Sequence, residues 1–416
     1  MCYTIELGQG AKLSDDPIYR KKEETSMTDA KAIKHTAHHH TVSLMPILQF
    51  FKKNTVMTIA MAAAALTSLI IPVDSEYIGY FDFKTLTCLF CVLAVVCALK
   101  NISFFYILAQ SIVERFKNAR TSVLLLVYIT FIGSMLIAND MALLTFLPLG
   151  YFVLHSGRKE KYMAHTFVLQ NIAANLGGML TPFGNPQNLY LYSKFNIPNL
   201  EFMGIMLMPF LLSIALITLC CVVFIKPEPL EIEKTQATLP PAKTVLYLCL
   251  FVLAVAIVFR GVPYLIGLAV IPTVLMLVDR RALKDVDYPL LLTFVFFFIF
   301  AGNMARIDIV SGIFSFLMEK STLLFSTLSC QIISNVPSAI LLSQFTDNYR
   351  ELLVGVNIGG VGSLIASLAS LITFREYTKH APEKTGYYVK VFSAFNFGFL
   401  AVLVGFMFAL KALGAF

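Results

Sequence analysis

Long apolar segments alternate with short polar ones along almost the whole chain after residue 50. A helix needs about 20 apolar residues to cross a bilayer, and residues 55–73 form the first segment of this kind. The pattern predicts an all-α polytopic membrane protein with about nine spanning helices. The other predicted spans are residues 86–113, 164–192, 203–225, 245–258, 262–278, 287–316, 352–374 and 391–410.

One span is interrupted where an ordinary membrane helix would continue. The stretch 175–194 begins as an apolar helix and then reads Thr-Pro-Phe-Gly-Asn-Pro-Gln-Asn from Thr181 to Asn188. Proline removes a backbone donor and glycine loosens a helix. The freed backbone groups need partners in hydrocarbon, so the break must be buried in protein or line a polar cavity. Transporters bind solutes and ions at helices broken in this way.

Two further segments are predicted to be re-entrant hairpins. Residues 123–154 are interrupted by Ala138-Asn139-Asp140 and have basic stretches on both sides, so both ends should lie on the same side of the membrane. Residues 323–345 are interrupted in the same way by Ser334-Asn335-Val336-Pro337-Ser338. The polar residues of each segment are expected at the hairpin tip.

These features occur twice in the same order, which indicates an internal repeat. Without gaps, Asn175 aligns with Asn357, and each is followed by a matching Gly-Gly pair. The charges of the loops give the two halves opposite orientations, so we predict inverted repeats at about residues 82–225 and 287–412. Glycine-rich apolar sequences also align by chance, but four matched features in one order argue against that alternative. The other aligned pairs are Thr181 with Ser363, Asn185 with Ser367, and Asn188 with Ser370.

Composition and charge agree with a membrane protein. The chain of 416 residues is 57% hydrophobic and 14% charged, whereas soluble domains have about 25% charged residues. Its net charge of +7 comes from basic residues in short loops, so it indicates topology and not a nucleic-acid partner. Four regions are expected: a disordered cytoplasmic tail (1–44), a first span with the first repeat (45–225), a cytoplasmic linker (226–243), and linking spans with the second repeat (244–416). The N-terminus is predicted in the cytoplasm and the C-terminus outside.

The polar residues that enter the membrane favour binding over catalysis. The sequence contains no HExxH, GxSxG or Walker A motif, so an enzyme is not expected. Backbone carbonyl groups at broken helices can hold Na⁺, and helix N-termini favour anions. Asp140 is the best candidate for a coupling-ion or proton site. The predicted substrate and ion site comprises Asn139, Asp140, Thr181, Gly184, Asn185, Pro186, Gln187, Asn188, Ser334, Asn335, Pro337, Asn357, Ser363, Ser367 and Ser370.

The two tip motifs and the two Asn-x-Gly-Gly segments, together with Gly184-Asn185-Pro186-Gln187-Asn188, resemble the ion transporter superfamily. Within it, the sequence is similar to citrate-transporter-like permeases, which include divalent anion/sodium symporters and arsenite permeases. The resemblance implies a scaffold domain and a transport domain that move as an elevator in a homodimer. It also implies Na⁺ as coupling ion. By this resemblance the Na⁺ ligands would be Asn139, Gly184 and Asn188 in the first half and Asn335 and Ser367 in the second.

The sequence also departs from the symporter pattern. Asp140 and Val336 stand where the symporters have the threonines of their tip motifs, and the second break has no proline. These variants are closer to the arsenite permeases.

The leading hypothesis is a secondary transporter in the cytoplasmic membrane that moves a small carboxylate or inorganic anion. It would be coupled to Na⁺ or H⁺, with no other cofactor. Arsenite efflux and Na⁺/H⁺ antiport are alternatives within transport. A passive channel or a membrane sensor is the alternative from a different class.

Overall fold

The computed structural model describes residues 49–52, 54–230 and 238–416. The predicted tail (1–44) and residues 231–237 of the predicted linker lie outside these ranges. Within them the regular structure is helical, apart from one isolated bridge between Asn118 and Pro229. The helices are α1 (Thr55–Ile70), α2 (Phe83–Asn101), α3 (Phe104–Val113), α4 (Ala119–Ile137), α5 (Asn139–Ser156), α6 (Met163–Gly177), α7 (Pro186–Lys194), α8 (Asn199–Phe224), α9 (Pro241–Val258), α10 (Tyr264–Val278), α11 (Arg280–Lys284), α12 (Tyr288–Ala305), α13 (Asp308–Ile333), α14 (Asn335–Leu342), α15 (Tyr349–Ile358), α16 (Leu368–His380) and α17 (Thr385–Ala412).

Seven stretches of helix in the described ranges are long and apolar enough to cross a membrane. They are α2, α4, α8, α9, α11 with α12, α13, and α17 with the short turn before it. Helices α1, α3 and α10 are apolar but shorter. The prediction of an all-α polytopic membrane protein is confirmed.

The first helices of the two predicted repeats begin and end alike. The Asp82 carboxylate accepts a hydrogen bond from the Thr85 amide at the start of α2, at 2.9 Å. The Asp287 carboxylate accepts one from the Leu290 amide at the start of α12, also at 2.9 Å. Such caps satisfy amide groups that the first turn leaves free. Each helix is followed by a break and a second apolar helix, α3 or α13.

The two hairpins have the same conformation at their tips. Helices α4 and α5 are joined at Ala138, which has φ 65° and ψ 153°; α13 and α14 are joined at Ser334, which has φ 72° and ψ 160°. Non-glycine residues rarely adopt this region. After each tip, an asparagine side-chain oxygen accepts a bond from the next backbone amide at 2.9 Å, in Asn139 and in Asn335. Both tips lie where the sequence predicts them.

The entry into the second hairpin agrees with the sequence prediction of a separate segment from residue 323. Helix α13 is divided at Ser321, whose φ of −169° and ψ of 97° are extended and not helical. The Ser321 hydroxyl group accepts the Leu324 amide at 3.3 Å, and the Glu351 carboxylate accepts the Leu323 amide at 3.0 Å. These two bonds satisfy amide groups that the first turn of the second part of α13 leaves free.

The two broken spans occupy the centre of the helix bundle. Every residue of α6 except His165 is buried. After α6 the chain makes one 3₁₀ turn, runs irregularly through residues 181–185, and restarts as α7 with Pro186 in its first turn. In the second broken span, α15 ends at Ile358 and α16 begins after Ser367, whose hydroxyl group accepts the Ser370 amide at 3.3 Å. A serine cap therefore replaces the proline that starts α7.

The residues that follow α8 are attached to the open end of the first hairpin. The Glu228 carbonyl accepts a hydrogen bond from the Ala119 amide at 2.8 Å. The Glu228 carboxylate binds Lys161 at 2.6 Å, Lys159 at 2.9 Å and the Tyr162 hydroxyl group at 2.9 Å. This end of the predicted linker is therefore fixed to the loops on both sides of α4 and α5.

Candidate functional site

The two hairpin tips are connected through the broken spans in the centre of the bundle. The Asn139 side-chain amide donates to the Asn175 side-chain oxygen at 3.3 Å. A Cβ atom placed on Gly360 would lie 3.5 Å from that Asn175 oxygen and 3.1 Å from the side-chain nitrogen of Asn335. Gly360 therefore lies between Asn335 of the second tip and Asn175, the partner of the first tip.

Asn357 of α15 links the second repeat to the break in the first. Its side-chain nitrogen donates to the Asn188 side-chain oxygen at 2.6 Å. Its side-chain oxygen accepts from Asn185 at 3.2 Å and from Gln187 at 3.4 Å. All four amides are buried. We call these four residues the amide network.

Asn188 also closes the break itself. Its side-chain nitrogen lies 3.2 Å from the carbonyl oxygen of Gly178, 3.3 Å from that of Met179 and 3.2 Å from that of Thr181. α6 ends before these carbonyl groups, and that of Thr181 also accepts the Gly184 amide at 3.3 Å. The Asn188 side chain thus helps to satisfy the backbone that the break exposes, as a membrane interior requires.

Two hydroxyl groups anchor the breaks to their hairpins in the same way. The Thr181 hydroxyl group donates to the Met135 carbonyl at 2.9 Å, and the Ser363 hydroxyl group donates to the Gln331 carbonyl at 3.1 Å. Each carbonyl lies one helical turn before the tip asparagine of its hairpin. The contacts match the gapless sequence alignment, which pairs Thr181 with Ser363.

The two tips differ in how firmly they are held. The Asn335 backbone amide donates to the Ala366 carbonyl at 2.9 Å, and the Ser334 hydroxyl group reaches the same oxygen at 3.3 Å. Gly184 is the equivalent of Ala366 in the first repeat. No hydrogen bond joins the Asn139 amide to the Gly184 carbonyl among the residues that the structure describes. The second tip is closed by backbone contacts that the first tip lacks.

Two asparagines that were not predicted complete the second break. Asn171 donates to the Ser370 hydroxyl group and to the Asn396 side-chain oxygen, both at 3.4 Å. The hydroxyl groups of Ser367 and Ser370 are 3.1 Å apart. Asn171 and Asn396 are polar residues within apolar spans, which is a sign of helix–helix contact. The sequence could not show that these two helices meet at the second break.

The buried polar atoms that lack a partner at this site are all oxygens. They are Asp140 Oδ1, Asn185 Oδ1 and Gln187 Oε1, and each lacks a hydrogen-bond donor within the described part of the chain. A Cβ on Gly178 would lie 2.4 Å from Asn185 Oδ1 and 2.7 Å from the Gly184 carbonyl oxygen. Buried oxygens without a donor are the type of ligand that a hard cation such as Na⁺ prefers.

Four helix N-termini belong to the same region. They begin at Asn139 (α5), Pro186 (α7), Asn335 (α14) and Leu368 (α16). Free amide groups and the helix dipole make such ends favourable for anions. Pro337 lies in the first turn of α14 and is buried. The Asn335 and Val336 amides at the start of α14 are already engaged, so backbone donors for an anion are expected at α5.

Comparison with known proteins agrees with this architecture. The family model described as citrate transporter (CitMHS) matches residues 46–350. The chain is 33% identical over 313 residues to the uncharacterized transporter MJ0456 of Methanocaldococcus jannaschii, which covers 74% of this chain and 85% of that protein. It is 29% identical over 282 residues to the inner membrane protein YbiR of Escherichia coli, covering 65% of this chain and 74% of that protein.

The family match covers both hairpins and the first break, and it ends near the start of α15. The predicted resemblance to citrate-transporter-like permeases is confirmed. Membership indicates a transporter rather than an enzyme. The chain belongs to the citrate transporter (CitMHS) family of multi-pass membrane proteins.

Proposed function

We propose that the protein is a secondary active transporter that moves a small carboxylate anion across the membrane, driven by Na⁺ or H⁺. The observation that carries this proposal is that the hairpin tips contact the broken spans, which are themselves joined by the amide network. Each repeat supplies half of this arrangement. Transporters built from inverted repeats bind their solute at such an interface.

The anion is proposed to bind the N-terminal end of α5. The Asn139 backbone amide makes no hydrogen bond to Gly184 in the described structure, so it is a candidate donor. The first amide groups of α14 are already engaged, since the Asn335 amide donates to Ala366 and the Val336 amide to the Asn335 side-chain oxygen. The side-chain nitrogens of Asn139 and Asn335 are the further donors that we assign to the anion. Neutral donors at helix ends hold a carboxylate without a buried cation, whose desolvation is costly.

The coupling ion is proposed to bind in the first repeat, beside residues 184–188. Asp140, Gly184, Asn185 and Gln187 supply oxygens there, and three of these residues have a side-chain oxygen without a partner. In the second repeat, the carbonyl oxygen of Ala366 corresponds to that of Gly184. It already accepts the backbone amide of Asn335 at the second tip. One firmly bound ion is therefore favoured over two. Asp140 is the carboxylate of this group and would take part in either Na⁺ or H⁺ coupling.

Movement of the site across the membrane is proposed to follow an elevator mechanism in a homodimer. Two inverted repeats can exchange their roles, which gives an outward and an inward state of similar energy. Among the alternatives, arsenite efflux and Na⁺/H⁺ antiport are both favoured by one observation, the carboxylate of Asp140 at an otherwise neutral site.

The test is uptake into proteoliposomes that contain the purified protein. Labelled citrate, succinate and arsenite would each be supplied under an imposed Na⁺ gradient, an imposed pH gradient, or neither. Gradient-dependent carboxylate uptake is the expected result. If only arsenite moves, or only protons exchange for Na⁺, the corresponding alternative replaces the proposal. No gradient dependence for any solute would refute secondary active transport.

A further inference from the structure

A second polar feature lies outside the site, in a cavity of 330 Å³ between the two repeats. The cavity lies at the N-terminal end of α8, next to α7, which precedes α8 along the chain. The predicted linker follows the opposite, C-terminal end of α8. Small-molecule sites usually occupy cavities of about 300–1,000 Å³. The cavity is lined by Gly79, Tyr80, Phe81, Asp82, Tyr190, Ser193, Lys194, Phe298, Gly302 and Gln344.

The walls of this cavity are held in place by specific contacts. The Tyr80 hydroxyl group accepts a hydrogen bond from the Arg306 guanidinium at 3.0 Å, and its ring covers Gly302, where a Cβ would lie 2.5 Å from the ring. The Tyr190 hydroxyl group is 2.9 Å from that of Ser343. The cavity is therefore built by the fold and not left by a loose loop.

Three aromatic rings form one apolar wall. The ring of Phe298 lies 6.5 Å from that of Phe81 and 5.5 Å from that of Tyr190. Ring contacts at such distances are a stable packing arrangement. This wall can cover the carbon skeleton of a ligand, but it offers nothing to a small, fully hydrated inorganic ion.

Lys194 is the one basic residue of the lining. Its ammonium group makes no ion pair within 4.0 Å and no hydrogen bond among the described residues, and the residue is exposed. The carboxylates of Asp82 and Asp347 act on its charge only at longer range. Asp82 also lines the cavity, but its two oxygens accept the Thr85 amide at 2.9 Å and the Thr85 hydroxyl group at 2.5 Å.

The cavity lies directly beside the amide network along α7. Tyr190 and Gln187 are one helical turn apart and share a face of this helix. Gln187 contacts Asn357 of the network, whereas Tyr190 lines the cavity. A ligand in the cavity would thus be one helical turn away from the central site.

We propose that this cavity is an admission site for carboxylate substrates, in which Lys194 binds the carboxylate and the aromatic wall covers the carbon skeleton. The proposal rests on the proposed function and adds an entry step to it, at which a carboxylate with a hydrocarbon skeleton is preferred over an inorganic oxyanion. Lys194 acts before the central site is reached. It therefore affects the concentration dependence of transport and not the maximal rate.

The test measures acylation of Lys194 in the purified full-length protein by a lysine-directed ester, quantified by mass spectrometry. A bound ligand slows modification in proportion to occupancy, so citrate at about ten times its dissociation constant should slow Lys194 acylation about tenfold. Lys320 is the matched control, since it is exposed at the end of another helix and does not line the cavity. Its acylation should not change, and sulfate should protect neither lysine.

Two outcomes would overturn the proposal: equal acylation of Lys194 with and without citrate, or equal protection by citrate and sulfate. The second would indicate an adventitious ion only.

The Asn139→Ala variant separates this proposal from the proposed function, because it should lose uptake yet keep citrate protection of Lys194. Protection without any uptake by the unaltered protein would refute the transport function alone. In uptake, Lys194→Gln should raise the half-saturating citrate concentration at unchanged maximal rate, and Lys320→Gln should change neither.

Discussion

The side-chain amide of Asn357 donates to the side-chain oxygen of Asn188 at 2.6 Å, across the boundary between the two repeats. Asn188 in turn holds three carbonyl groups of the first break. The shape of the first break therefore depends on a residue of the second broken span. This bond joins the two predicted repeats at the proposed site, and several consequences can be measured.

Replacing Asn357 should damage both stability and transport. In Asn357→Leu, the side chains of Asn185, Gln187 and Asn188 lose a buried partner, and each group left unsatisfied costs about 1–3 kcal/mol. We expect a lower unfolding temperature and no uptake. Asn303→Leu is the control, because Asn303 is also buried but bonds Thr67 and Ser68 away from the site. That variant should lose stability while keeping uptake; loss of uptake in both variants would make the effect on transport non-specific.

A single methyl group at Gly178 should disturb the proposed ion site. The Cβ of Gly178→Ala would lie 2.4 Å from the Asn185 side-chain oxygen and 2.7 Å from the Gly184 carbonyl oxygen, both closer than packed atoms can approach. These oxygens must move, so stabilisation of the protein by the coupling ion should disappear. Thermal unfolding with and without Na⁺, and at two pH values, measures this. Gly204→Ala is the control and should behave as the unaltered protein, because its Cβ meets nothing within 4 Å. If the coupling ion still stabilises Gly178→Ala as it does the unaltered protein, the proposed position of the ion site is wrong.

The contact between Glu228 and the first hairpin should show in the pH dependence of stability. Lys161, with Lys159 and Tyr162, lowers the pKa of Glu228 from 4.5 to about 2. A carboxyl group with a lowered pKa stabilises the folded state above its unfolded pKa and loses this effect as it is protonated. The difference in unfolding temperature between the unaltered protein and Glu228→Gln should be constant from pH 6 to 8 (about the range of full ionisation). It should shrink below about pH 4.5 and vanish near pH 2. A difference that grows on acidification would have the wrong sign.

Arg260 should hold the end of α7 that faces away from the break. Its guanidinium donates to the Tyr192 carbonyl at 2.8 Å and lies 4.0 Å from the centre of the Tyr192 ring. Removing it in Arg260→Ala leaves a C-terminal carbonyl of α7 without this donor, so hydrogen exchange at residues 190–197 should become faster. Arg158 is a matched control. Its φ is also positive, 53° compared with 62° for Arg260, but it lies in the loop that joins α5 to α6. Equal exchange in Arg260→Ala and Arg158→Ala would exclude this role.

The positions of the breaks and tips could be predicted from sequence because their signals are local. Pro182, Gly184 and Pro186 stop a helix whatever surrounds it, and the polar tip at Asn139 interrupts an apolar run. The repeat could also be recognised, since its matched residues are in register without gaps. The structure adds that Thr181 and Ser363 make equivalent bonds to their hairpins.

The parts that could not be predicted depend on contacts between distant segments. Nothing near Asn171 or Asn396 in sequence shows that their helices meet at Ser370. The Leu323 amide, just after the division of α13 at Ser321, donates to Glu351, which lies 28 residues away along the chain. The closure of the second tip by Ala366 is a backbone contact, which leaves no signature in residue type.

The most direct test of the central claim is the initial rate of citrate uptake by proteoliposomes containing Asn139→Ala or Asn335→Ala, with Na⁺ and pH gradients both imposed. Both tip asparagines are predicted to be essential for transport, because each belongs to one half of a shared site. Uptake should fall to the level of protein-free liposomes in both variants, while each still unfolds cooperatively on heating. Uptake at the rate of the unaltered protein in both variants would contradict the claim that the hairpin tips form the transport site.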